Sequence, residues 1–200
     1  MVKENLTLDH KFICLTDKPH LHKIEGIEFR QAYIAIADSW CKLSLFVPQL
    51  ADVYKGRALY LDLDVVITGK LDGLVNRCET LEVNQDEEKE TINFKKTFFI
   101  IKDWWRKGDY NSSVMMWEMG QFNKLFNGFK TSDMQRLKGD QDLITELLDE
   151  GEVKTFGDIE VQSYKANNLK DEFKKHTKIV VFHGKPKPHE VGGWVTDYWK

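Results

Sequence analysis

The sequence predicts an α/β layered fold, and three observations carry that reading. Short apolar runs of strand length recur along the 200 residues. Segments with apolar residues at helical spacing alternate with them. No internal repeat, low-complexity tract or clear domain boundary interrupts the alternation, so residues 1–200 read as one domain. The most informative run is Arg57-Ala58-Leu59-Tyr60-Leu61-Asp62-Leu63-Asp64-Val65-Val66-Ile67-Thr68-Gly69. Its lack of polar alternation predicts a strand buried on both faces. Carboxylates in such a run are unfavourable unless positive charge compensates them. A divalent cation carrying an anionic ligand from solvent is the simplest compensation.

The elements follow in order. Lys11-Phe12-Ile13-Cys14-Leu15 reads as a strand, with a turn signal at Thr16-Asp17-Lys18-Pro19. Ile24 to Phe29 reads as a weaker second strand. Ser39 is placed to cap a helix bearing Trp40, Leu43, Phe46, Val47 and Leu50 on one face, and Pro48 predicts a kink or early end to it. After the two Asp, Leu71 to Val75 reads as a short helix between turns. Residues 84–96 are polar and mixed in charge, which predicts a surface insertion. Phe98 to Ile101 is another buried strand, and Tyr110 to Trp117 a turn leading into a strand. Phe122, Leu125, Phe126 and Phe129 have helical spacing. Gly139 precedes an amphipathic helix with Leu143, Ile144, Leu147 and Leu148 on its apolar face. Val153 to Phe156 and Ile179 to Phe182 close the strand list.

Composition excludes some functions. Hydrophobic content of 42% and charged content of 30% are those of an ordinary globular protein. A net charge of −3 argues against a nucleic-acid platform, which needs a basic face. No apolar stretch is long enough to span a membrane, and the start carries no apolar signal core. Three scattered Cys (Cys14, Cys41 and Cys78) without CxxC spacing predict free thiols, and with them a cytoplasmic location.

The chemistry gathers at two strand ends. Asp62 and Asp64 leave one apolar run and His183 leaves another, and in open α/β sheets ligands gather at the carboxyl ends of strands. Two carboxylates and an imidazole suit Mn²⁺ or Mg²⁺, with open positions for phosphate oxygens. Lys185 and Lys187 add positive charge for a diphosphate, and Gly184 allows close backbone approach. The plain alternatives are a solvated strand end for the Asp pair, a satisfied structural His, and a solvated basic loop.

These motifs, in this order, resemble a nucleotide-sugar glycosyltransferase of GT-A fold, close to the family 8 type and its bacterial relatives. The resemblance rests on Lys42 in Trp40-Cys41-Lys42-Leu43, the Leu59-Tyr60-Leu61-Asp62-Leu63-Asp64 strand, Tyr110-Asn111-Ser112-Ser113-Val114, Gly139-Asp140-Gln141-Asp142 and Phe182-His183-Gly184-Lys185-Pro186-Lys187-Pro188. It implies a three-layer α/β/α domain with a central, mostly parallel sheet. The family's first strand, which serves the nucleotide base, is expected to be missing, since ten residues precede Lys11. The resemblance further implies that Asp62, Asp64 and His183 hold Mn²⁺ or Mg²⁺. Lys42, Asp62, Asn111, Ser112, Lys185 and Lys187 would bind the donor, and Asp140, Gln141 and Asp142 would lie by the reacting sugar carbon. The expected reaction moves a sugar from a UDP-sugar or similar donor to a glycan or other hydroxyl acceptor, with retention, in a chain that could form a homo-oligomer.

Structural alternatives stand beside these roles: N-terminal helix capping for Asp140 and Asp142, and a turn role for Asn111. Trp104, Trp105, Tyr110 and Trp117 read mainly as core or rim, with sugar stacking the alternative. Two rival functions share the motifs. One is a catalytically degenerate glycosyltransferase-like module that binds a nucleotide. The other is a haloacid-dehalogenase-type phosphatase, whose Asp-x-Asp signature also follows a strand but lies nearer the start of its domain.

Overall fold

The computed structural model describes residues 1–33, 38–77, 81–84, 91–94 and 96–199. Helix α1 (Val2–Asn5) precedes strands β1 (Phe12–Thr16) and β2 (Ile27–Gln31). A 3-10 segment (Asp38–Phe46) leads to α2 (Pro48–Val53), β3 (Arg57–Leu61), β4 (Val65–Ile67) and α3 (Asp72–Val75). Then come β5 (Leu81–Asn84), β6 (Thr91–Phe94), β7 (Phe98–Lys102) and β8 (Tyr110–Glu118). Helices α4 (Lys124–Asn127), α5 (Asp133–Arg136) and α6 (Asp140–Leu147) precede β9 (Val153–Thr155), β10 (Val161–Ser163), β11 (Ile179–Val181) and α7 (Trp194–Tyr198). The chain clusters into two compact units.

The first unit comprises Met1–Thr7, Arg57–Glu118 and Asp149–Lys200. It holds a four-stranded sheet in the order β3-β8-β7-β9 and a three-stranded sheet in the order β10-β11-β4. The expectation of a mostly parallel sheet is corrected. Strands β3, β8 and β7 are successively antiparallel, as are β11 and β4, while β9 and β10 run parallel to β7 and β11. The short 103–109 connection forces the β7–β8 reversal, because a parallel pair needs a long crossover.

The expected two-sided burial holds for β4, for β8 from Asn111 to Trp117, and for β7 up to Ile101. It fails for β3, whose residues are all half-buried because, among the described residues, β8 is its only strand neighbour. The Asp-bearing run is also not one strand: it turns at Leu63 and Asp64 between β3 and β4. Part of the predicted surface insertion is regular, since β5 and β6 pair as an antiparallel hairpin. Thr91-Ile92-Asn93-Phe94 has the period-2 alternation of a strand. Residues 85–90 and 95, and Cys78, lie outside the described residues.

The second unit comprises Leu8–Gly56 and Met119–Leu148. Strands β1 and β2 pair in parallel from Phe12↔Ile27 to Thr16↔Gln31. The helix expected after Ser39 is instead the 3-10 segment followed by α2. Val47 turns extended (φ −68°, ψ 134°) before Pro48, which lacks an N–H and disfavours helix in the residue before it. The apolar face survives the break: Trp40, Leu43, Phe46, Val47 and Leu50 are all buried. Ser39 lies inside the 3-10 segment and not at its cap. Val47, Leu50 and Tyr54 pack with Ile13, Leu15, Met119 and Phe126. The Tyr54 hydroxyl donates to Glu28 and accepts from Arg30 Nε, both at 2.9 Å, and ties α2's end to β2.

Candidate functional site

In the first unit, the site grows from the register of β4 on β11. Val65 pairs with Val181. One step further, the Phe182 N–H donates to the Asp64 carbonyl at 3.0 Å. The antiparallel pairing therefore sets Asp64 and His183 at the same sheet end, although 119 positions separate them in sequence.

The chain after His183 then folds back. Gly184 takes φ +73°, a left-handed conformation open to glycine, and the Lys185-Pro186 peptide is cis. The Lys187 N–H donates to Glu190 Oε2 at 2.6 Å, and its ammonium lies 2.5 Å from Asp64 Oδ2. Lys187 is thus the cation that compensates Asp64. Lys185 is exposed and instead lowers the Glu190 pKa, secondarily to the Lys187 backbone hydrogen bond.

Asp62 is half-buried and held by different contacts. Its N–H donates to the Ser113 carbonyl at 2.9 Å, and its Oδ1 accepts the Tyr60 hydroxyl at 2.6 Å. Tyr60 reaches it because residues two apart share a strand face. Opposite β7, strand β8 shifts register, so that Ile100 faces Met115 but Ile101 faces Asn111. The bulge sets Ser112 and Ser113 out of that pairing. Asn111 Oδ1 accepts the Ser113 N–H at 3.0 Å and braces the peptide that receives Asp62. Asn111 and Ser112 are both buried.

His183 is half-buried and closely surrounded. Its Nε2 lies 2.7 Å from Ser163 Oγ, which also accepts the Ala166 N–H at 3.0 Å. The Trp104 ring stacks on it at 5.4 Å, and Trp105 meets it edge-on at 6.3 Å. Asp103 Oδ1 accepts the backbone N–H groups of Trp105 and Arg106 at 2.7 and 2.8 Å and so orders the turn that carries the two indoles. Burial first, then the nearby Lys165 charge, pushes the His183 pKa below its ordinary value, against the pull of Asp103 and Asp64. A neutral imidazole follows at neutral pH.

The structure therefore brings Asp64, His183 and Lys187 together. Among the described residues, no three of His, Cys, Asp and Glu converge as a metal-ligand cluster. The ligand types still fit a hard divalent ion, and Asp64 already takes a cation at its carboxylate.

The remaining predicted residues lie at the start of α6 in the second unit. Lys42 Nζ lies 4.0 Å from Asp140 Oδ2, with 14% and 3% of the two side chains exposed. The Asp140 N–H donates to Ser39 Oγ at 3.4 Å. A Cβ on Gly139 would sit 2.7 Å from that hydroxyl, so the close approach requires glycine. Asp142 Oδ2 accepts the N–H of Lys138, which precedes α6, at 2.9 Å. Gln141 is half-buried, and its carbonyl accepts the Thr145 hydroxyl at 2.8 Å.

Ser163, Lys165 and Asp103 escaped the sequence reading. Ser163 and Lys165 reach His183 only because β10 pairs with β11, and the three-residue β10 with its central Gln162 gives no apolar run to detect.

No family model and no curated protein sequence matches the chain. Solved structures do. The glycosyltransferase GlyE of Streptococcus pneumoniae TIGR4 aligns with a TM-score of 0.59 and 17% identity, over 87% of this chain and 46% of that one. The galactosyltransferase LgtC, solved with donor and acceptor sugar analogues, aligns with a TM-score of 0.54 and 13% identity, over 82% and 69% of the two chains. A glycosyltransferase involved in glycosylating the major capsid of PBCV-1 aligns with a TM-score of 0.53 and 12% identity, over 87% and 84%. The chain spans about half the length of GlyE. Its mixed α/β architecture is the GT-A-like fold of these glycosyltransferases.

Proposed function

We propose that the chain is a metal-dependent glycosyltransferase. It moves a sugar from a nucleotide-diphosphate donor, a UDP-sugar first among them, to a glycan or other hydroxyl acceptor, with retention of anomeric configuration. The observation that carries this reading is the meeting of Asp64, His183 and Lys187 at one sheet end, in a fold shared with glycosyltransferases. Asp62, Asp64 and His183 would hold Mn²⁺ or Mg²⁺, which supplies positive charge to the donor diphosphate.

The chain's own residues then do the rest. Breaking a sugar–phosphate bond builds negative charge on the leaving diphosphate, and lysine ammoniums stabilise it as it develops. Lys187, which lies at Asp64, and Lys185 in the same loop would supply those ammoniums. Tyr60 and Ser113 orient Asp62, and Ser163 and Trp104 hold the His183 ring. Asn111, Ser112 and Lys42 belong to this reading as donor-binding residues, and Asp140 and Gln141 as oxygen-bearing groups for the oxocarbenium-like sugar. Asp142 contributes by holding the first turn of α6.

The test is consumption of nucleotide sugars by the full chain, with Mn²⁺ and after chelation. Slow, metal-dependent hydrolysis of one donor supports the reading. Binding of UDP or GDP without consumption of any nucleotide sugar, whatever acceptor is offered, overturns it.

A further inference from the structure

We propose that Lys165 is a donor-binding residue, the cation that receives the diphosphate beside His183. The inference rests on the reading of this site as a nucleotide-sugar site. Strands β10 and β11 run parallel with Ser163 opposite Val181, so Lys165 and His183 each leave the sheet two residues past that pair, at the same end.

The turn after β10 is closely tied. Ala166 N–H donates to Ser163 Oγ, Ser163 N–H to Asn167 Oδ1, and Asn168 N–H to the Lys165 carbonyl at 3.1 Å. Asn168 completes it at φ 52°. The Lys165 ammonium then lies over Gly184: a Cβ added there would be 3.2 Å from Nζ. Gly184 thus serves two ends, a left-handed backbone and room for this ammonium.

Charge gives the placement its meaning. No carboxylate pairs with Lys165 among the described residues, and it is exposed. Lys187 is already committed to Asp64, and Lys185 is exposed and its field reaches Glu190. Lys165 therefore sets an ammonium that no carboxylate neutralises, among the described residues, over Gly184 and beside His183, which is unfavourable until an anion enters. A diphosphate has the charge and the several acceptor oxygens to meet this ammonium.

The experiment is calorimetric titration of the full chain with UDP and with GDP in the presence of Mn²⁺. It compares Lys165→Ala, Lys165→Arg and, as a control for general surface charge, Lys170→Ala. Lys170 is an exposed lysine of the same loop. Lys165→Ala is expected to weaken binding of the nucleoside diphosphate about 10- to 100-fold, the scale of one lost charge-assisted hydrogen bond. Lys165→Arg should stay within about 3-fold of the unsubstituted chain and Lys170→Ala should be unchanged. Thermal melts of each variant confirm folding. Unchanged binding by folded Lys165→Ala, or an equal loss in Lys170→Ala, overturns the assignment while leaving the glycosyltransferase reading intact. Failure of the unsubstituted chain to bind either nucleotide overturns both.

Discussion

At the scale of the residue, the site is a set of polar groups that hold each other in place. Ser163 illustrates this. Its hydroxyl joins the His183 ring to the Ala166 N–H, in a half-buried setting. Ser163→Ala leaves the His183 Nε2 without that partner, and a lost hydrogen bond of this kind costs about 1–3 kcal/mol. A urea titration should show that loss, with the slope unchanged. The chemistry-bearing types were legible one by one: Asp64, His183 and Lys187 stood out because a charged or titratable group borders an apolar run. Their partners were not. Ser163, Lys165 and Asp103 carry no local signal, because strand pairing and a turn bring them to His183. Nor did the sequence separate Lys185 from Lys187; the fold of the 183–188 loop does, by turning only Lys187 onto Asp64.

At the scale of the element, backbone chemistry decides where the chain turns. Gly184→Ala forces an L-residue to φ +73° and presses on Lys165, so it should destabilise by about 1–2 kcal/mol. Gly192→Ala, which meets no atom within 4 Å and has no positive φ, should be silent in the same denaturation assay.

Helix α5 makes a pH prediction. The Lys130 N–H, and then Arg136, hold the Asp133 carboxyl below its ordinary range, against its desolvation. A depressed carboxylate stabilises the fold above its unfolded pKa and loses that contribution as pH falls through the folded one. Asp133→Asn should therefore flatten the loss of stability below about pH 4, measured as melting temperature against pH. Elements were legible where apolar periodicity was long, as in α6, β7 and β8. They were not where one residue decides: Pro48 split an expected helix, and a two-residue turn split the Asp-bearing run. Strand direction was illegible too, because a buried apolar run looks alike in parallel and antiparallel sheets.

At the scale of the whole molecule, the α/β class and the glycosyltransferase-type fold were readable from the order of five motifs, and the solved glycosyltransferase structures share that fold at 12–17% identity. Identity this low shows the fold alone and puts the weight of function on the site. Among the described residues no helix is long and apolar enough to cross a membrane. The first unit's site members come from β3, the β3–β4 turn, β8, the β7–β8 connection, β10 and the loops after β10 and β11. The chemistry thus depends on the first unit folding as one body, not on any single motif. The most direct measurement of the central claim is Mn²⁺-dependent release of nucleoside diphosphate from a panel of UDP- and GDP-sugars, by the unsubstituted chain and by Asp64→Ala. The account predicts release from one donor, abolished by chelation and reduced about 100-fold or more in Asp64→Ala. Release from no donor, or release unchanged in Asp64→Ala, would contradict it.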